Sequence, residues 1–101
     1  MSFAVLTEPV AEREWSDAVA WYEEQETGVG LRFNEEVRTL LRTIAEQPER
    51  FPLATVRTRK AKIIDWPYSI YFTVNKEHRE VKIVAVWHGS QNPAKLRPRL
   101  R

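Results

Sequence analysis

Apolar residues recur at helical spacing through residues 8–47 and switch, near residue 60, to alternation. Ala11, Trp15, Ala18 and Tyr22 follow at intervals of four, three and four, one stripe broadened by Val19, with Glu12, Asp17, Glu23 and Glu24 on the other side. Thr7 reads as the N-cap of this helix, with Glu8 and Pro9 in its first turn, where an acid suits the dipole and a missing N–H does no harm. Gly28-Val29-Gly30 stops it near residues 25–27. A second register, Leu31 or Phe33, then Val37, Leu40, Leu41, Ile44 and Ala45, runs to Pro48, which closes it. Two helices joined by so short a glycine turn form an antiparallel hairpin over residues 8–47.

Strand patterning fills the rest. Residues 2–6 read as a short first strand, residues 54–57 as either an edge strand or a loop, and residues 60–66 as a strand ended by the Trp66-Pro67-Tyr68 bend. Tyr68, Ile70, Phe72 and Val74 alternate with Ser69, Tyr71 and Thr73, and residues 75–79 make a polar hairpin loop. In the next strand Val81, Ile83, Ala85 and Trp87 share one face, opposite Lys82, Val84, Val86 and His88. Gly89-Ser90 breaks it, and a basic tail at residues 95–101 follows a turn opened by Asn92-Pro93. The expected fold is α+β: an N-terminal strand, a helical hairpin packed on a small antiparallel sheet, and a short basic C-terminal tail, all in one domain spanning residues 1–101.

Charge divides where the patterning changes. Residues 1–52 carry 5 Lys/Arg against 11 Asp/Glu, and residues 53–101 carry 11 against 3, so an overall +2 conceals an acidic helical half and a basic sheet half. The basic half suits a polyanion or an acidic partner. The absence of cysteine excludes disulfides, thiol catalysis and thiolate metal sites, and His78 with His88 offers little for zinc, so neither a metal nor another cofactor is expected. No apolar run approaches the roughly 20 residues that span a bilayer, and no signal segment opens the chain, so a cytoplasmic protein without membrane contact is expected.

Several segments together resemble the ParE/RelE superfamily of type II toxin–antitoxin toxins, closest to its ParE or plasmid-stabilisation branch. They are Trp21-Tyr22-Glu23 with Gly28-Val29-Gly30-Leu31-Arg32-Phe33, Pro48 with Phe51-Pro52, Trp66-Pro67-Tyr68-Ser69-Ile70-Tyr71-Phe72, and Val84-Ala85-Val86-Trp87-His88-Gly89-Ser90 with Asn92-Pro93. No single segment is specific, but the ordered set covers almost the whole chain. The resemblance implies one of three functions. A ParE-like toxin inhibits DNA gyrase as a protein ligand, a RelE-like toxin is a metal-independent, ribosome-dependent mRNA endonuclease, and a non-toxic relative only binds partners. For RNA cleavage the candidates are Lys60, Lys62 and His88, while Ser69 stands where that branch carries a strand arginine, and Lys95 or Leu96 where it carries a tyrosine. For target binding they are Arg57, Arg59, Lys95, Arg97 and Arg99. The resemblance also implies a cognate, ParD-like antitoxin in a hetero-oligomer, its acidic segment folding into a groove to which Trp15, Tyr22, Tyr71 and Trp87 are assigned.

Overall fold

A computed structural model describes residues 2–100. Strand β1 (Ala4–Thr7) leads into helices α1 (Pro9–Gln25) and α2 (Val29–Glu46), then a 3-10 turn at Pro48–Arg50. Strands β2 (Thr58–Lys62), β3 (Tyr68–Asn75) and β4 (Glu80–His88) follow, and the chain closes through a one-turn helix α3 (Pro93–Leu96) and a 3-10 turn at Arg97–Arg99.

The helical hairpin and the β2–β3–β4 meander form as the patterning expects. Ala11 and Ala18 of α1 and Phe33, Val37 and Ile44 of α2 are buried against Ile70, Phe72, Val81, Ile83 and Val86 of the sheet. Trp15 Nε1 donates to Asn34 Oδ1 at 2.9 Å across the hairpin. Between the helices, Gly28 takes a left-handed φ of 93°, and the amides of Gly28 and Gly30 donate to the two carboxylate oxygens of Glu23 at 2.9 and 3.0 Å. An acid on α1 thus satisfies the N-terminus of α2, where orphan amides and the positive end of the helix dipole favour a negative group.

The edges and ends depart from expectation. β1 lies beyond β4 and runs parallel to it, Ala4 opposite Glu80 through Thr7 opposite Ile83, so the sheet order is β1-β4-β3-β2 and one of its three pairings is parallel. The hairpin carries the chain from β1 at one edge of the sheet to β2 at the other, and so forms the first part of the long connection that the parallel β1–β4 pairing requires. Thr7 is the last residue of β1 and not a helix cap; Glu8 occupies the cap position with no side-chain capping bond, and Pro9 begins the helix. β2 ends at Lys62 instead of reaching Trp66, because the chain turns back through Asp65 at a left-handed φ of 71°, closed by Trp66 N–H to Ile63 O at 3.1 Å. Residues 54–57 form a turn, with Ala54 and Thr55 both donating to Thr58 O.

The largest correction concerns β4. Tyr71 lies opposite Ala85 but Phe72 opposite Ile83, so Val84 is an extra residue and the strand bulges there. A bulge shifts the alternation by one. Val81, Ile83 and Val86 consequently face the helices, while Val84, Ala85 and Trp87 join Tyr71 in a second apolar cluster on the outer face. Leu96 and Leu100 from the tail cover that cluster, and Leu96 is only 4% exposed. The tail is therefore docked along the sheet, its leucines supplying the third layer.

At Gly30 the helices approach so closely that a Cβ would sit 2.5 Å from Val19 O and 2.9 Å from Glu23 Cβ. Gly30→Ala is expected to cost about 2 kcal/mol, because backbone must move to admit the methyl group. Urea denaturation measures it; an unchanged midpoint would show that the hairpin opens without penalty.

Candidate functional site

Ala11, Glu14, Trp15 and Ala18 lie at intervals of three, one and three, which places Glu14 inside the apolar stripe of α1. A carboxylate there must be paired. Its Oε1 accepts from Val86 N–H at 3.0 Å and from Arg99 Nη2 at 3.1 Å, and its Oε2 accepts from Arg99 Nη1 at 2.8 Å. Arg99 Nη2 also donates to Val84 O at 2.7 Å. These two side chains bond the edge of β4 just past the point where β1 stops. Arg99 is held more firmly protonated than an ordinary arginine, chiefly by its hydrogen bond to Glu14, against the opposing effect of burial. Assigned to target binding from sequence, Arg99 is occupied within the fold, with its guanidinium 5.6 Å from the centre of the Trp87 ring.

The remaining candidates fall on different surfaces. Lys60 and Lys62 stand on the outer sheet face opposite Tyr71 and Ser69. Lys60 Nζ lies 5.8 Å from the centre of the Tyr71 ring, and Lys62 Nζ donates to Ile63 O at 3.2 Å and to Trp66 O. His88 pairs with Tyr68 on the inner face. Its Nδ1 accepts from Ser90 N–H at 3.0 Å and lies 2.8 Å from Ser90 Oγ, so it fastens the turn after β4. The three ribonuclease candidates are thus divided between opposite faces of the sheet. The four groove candidates are divided too: Trp15 and Tyr22 pack with the helices, whereas Tyr71 and Trp87 are buried beneath the tail. The Trp87 Nε1 donor is enclosed there without a hydrogen-bond partner.

Arg57 and Arg59 do come together, in a surface hollow of about 590 Å³ that also draws in Lys76 and Lys82. Glu49 lies 2.9 Å from Lys76 and 4.0 Å from Arg59, and Glu80 also lines the wall, so Arg57, Arg59, Lys76 and Lys82 outnumber the acids and keep the hollow positive. The apolar Leu53 and Val56 rim it, Val56 at 86% exposure. Lys95 and Arg97 are exposed on the tail. Lys76 and Lys82 escaped the sequence reading because nothing local links a hairpin lysine to β2; their meeting depends on strand register.

A second hollow, of about 400 Å³, opens between α1 and the end of β4, with Trp21, Tyr22, Tyr68 and His88 among its walls. Burial pushes both phenols above the usual tyrosine value, and the charge of Tyr22 pushes Tyr68 further. Among the described residues, no group of three or more His, Asp or Glu side chains is placed to hold a metal ion, and no helix is long and apolar enough to cross a membrane.

The chain matches the family model of the ParE toxin of the type II toxin–antitoxin system parDE over residues 5–93. Solved structures share the fold. The chromosomal ParDE system of P. aeruginosa aligns with a TM-score of 0.74 at 13% identity, covering 86% of this chain and 96% of that one. A mutant of the E. coli toxin RelE in the free state gives 0.67 at 19% identity, over 89% and 86%. The same mutant in complex with an antitoxin RelBc peptide gives 0.63 at 18% identity, over 100% and 97%. No curated protein matches the chain.

Glu14→Ala is expected to lower stability by about 3 kcal/mol, since it strands both the Val86 amide and the Arg99 guanidinium in partly buried positions. Amide exchange at Val86 should accelerate by more than the global loss accounts for. Protection there equal to the parent's would mean that the β4 edge is held by something else. A second expectation concerns alkali. Because folding raises both tyrosine pKa values, their contribution is fully present below the unfolded value of 10.0 and is lost as the pH climbs through the raised values. Denaturation midpoints followed upward from about pH 9 should fall, and should fall less in Tyr68→Phe; an identical decline in that variant would clear Tyr68 of the effect.

Proposed function

We propose that this chain, which belongs to the ParE toxin family of type II toxin–antitoxin systems, acts as a protein ligand that blocks DNA gyrase and is neutralised by a cognate, ParD-like antitoxin in a hetero-oligomer. The observation that carries the choice of target is the separation of the side chains available for RNA cleavage. Attack by a 2′-hydroxyl needs a base, an acid and a cation converging on one phosphate. Lys60 and Lys62 are on one face of the sheet and His88 is on the other. Ser69, between Lys62 and Trp87 on the outer face, carries no charge to stabilise a phosphorane. Arg99, which lies over the Trp87 ring, is taken up by Glu14.

A binding role asks less of geometry and more of charge. The hollow around Arg57 and Lys82 and the exposed Lys95 and Arg97 present cations without a convergent site, which suits an extended anionic surface such as gyrase with its bound DNA. The antitoxin rests on likeness to the P. aeruginosa ParDE system and to the RelE–RelBc peptide complex. An acidic, amphipathic segment that folds on binding would meet the same cations alongside the apolar Leu53 and Val56.

Purified protein is expected to inhibit gyrase supercoiling and to trap cleaved DNA, with activity restored by the antitoxin. Reversing Lys95 and Arg97 to glutamate should weaken inhibition by about tenfold. Those two residues are exposed, so the reversal separates binding from folding in a way that deleting the whole tail, with Leu96 and Arg99, would not. Lys60→Glu with Lys62→Glu should inhibit like the parent. Gyrase left untouched by excess protein, together with ribosome-dependent mRNA cleavage that this lysine double variant abolishes, would replace the proposal with the ribonuclease reading.

A further inference from the structure

The basic surfaces used above lie on the sheet and tail; the hollow between α1 and the end of β4 has the opposite character. Trp21 and Tyr22 meet at 5.1 Å with planes at 82°, Tyr22 and Tyr68 at 6.2 Å and 63°, and Tyr68 and His88 at 4.9 Å and 82°. Successive rings stand edge to face, so they form walls and not a stack. Their positions are fixed from behind, because Tyr22 also packs on Phe33 and Trp66 at 5.1 and 4.8 Å. Trp21 is 55% exposed, a large apolar surface left to solvent at the mouth.

Two carboxylates reach this hollow, and they differ. Glu14 is neutralised by Arg99, whereas Asp17 has no cation within ion-pairing distance among the described residues. His88 does not fill that role, since its Nδ1 is an acceptor for Ser90 N–H and its ring stands against Tyr68. Aromatic faces with one uncompensated carboxylate form the environment that attracts an organic cation, through the ring quadrupoles and direct charge. The surroundings extend the preference: besides Glu14, held by Arg99, and Glu23, held by the Gly28 and Gly30 amides, α1 carries Glu12, Asp17 and Glu24 against Arg13 alone.

We propose that this hollow receives a guanidinium or ammonium side chain from a basic segment of a partner polypeptide. A polypeptide is favoured over a free small cation because the exposed Glu24, seven residues on from Asp17 and so on the same face of α1, offers a second basic residue of the same segment a partner beyond the hollow. The contact is independent of gyrase inhibition and sits on the part of the molecule with the opposite charge. A protein so built engages an acidic surface with its sheet and a basic one with α1.

The test is a titration of the full chain with an acetylated, amidated peptide of several arginines, followed by tryptophan fluorescence and by the amide signals of residues 17–22. Saturable changes at Trp21 and Tyr22 are expected. A peptide with citrulline in place of arginine should bind at least about tenfold more weakly, and so should Asp17→Asn and Trp21→Ala with the arginine peptide. Both positions are exposed, and circular dichroism of each variant, expected to match the parent, checks that it folds. Equal binding of the citrulline peptide would overturn the proposal by removing charge from the recognition. Tetramethylammonium binding as tightly as the peptide would overturn the polypeptide as the source. Arginine-peptide binding untouched by both substitutions would place the contact elsewhere and overturn the site.

Discussion

β4 is enclosed on both faces and bonded along both edges for most of its length, and the rest of the molecule is arranged around that enclosure. Helices cover one face, the tail covers the other, β3 takes one edge, and β1 takes the other only as far as Ile83. Beyond Ile83 the polar backbone still needs partners, and a buried amide or carbonyl left without one costs roughly 1–3 kcal/mol. Glu14 and Arg99 provide for Val86 N–H and Val84 O with side chains, where a longer β1 would have used backbone. The Val84 bulge belongs to the same arrangement, since it moves Val86 to the helix face and sets Trp87 beneath the tail.

That arrangement separates the chemistry of the molecule. The outer face is covered by the tail leucines, with Lys60, Lys62 and Lys82 spread over it opposite Tyr71, Ser69 and Thr73. The charge division along the chain becomes a division in space: cations on the β2–β3 hollow and the tail, acids along α1. Such a molecule offers surfaces of opposite charge on its helical and sheet sides. Electrostatic contacts of this kind set encounter rate and register more than affinity, which leaves the exposed Val56, Leu53 and Trp21 as the apolar anchors of each surface.

Much of the fold was readable from the pattern alone. The helical hairpin, its glycine turn and the three-strand meander all follow from local spacing, because each depends on residues a few positions apart. What escaped depends on distance. The parallel pairing of β1 brings residue 4 to residue 80, and no period in either segment announces it. The bulge is invisible because Val84, Ala85, Val86 and Trp87 are all apolar, so a shift of one leaves the sequence pattern unchanged. The tail read as a basic segment for target binding because its charges outnumber Leu96 and Leu100. Glu14 was legible in principle: a carboxylate at the spacing of Ala11 and Ala18 demands a partner, though only the structure identifies Arg99. The candidate sites were less legible than the fold, since faces and neighbours decide them.

The parallel edge also has a consequence for how the protein is born. β1 is made long before its neighbour, which begins at Glu80, and the clasp on α1 waits for Arg99. The hairpin is fully synthesised by Glu46, with its apolar stripe bare, while the strands that will cover it are still to be made. Contacts so far apart in sequence form late and slowly. The sheet of such a topology therefore closes only once Glu80 and Arg99 have both been made, and the interval before then is one in which its apolar surfaces are open to any partner already waiting.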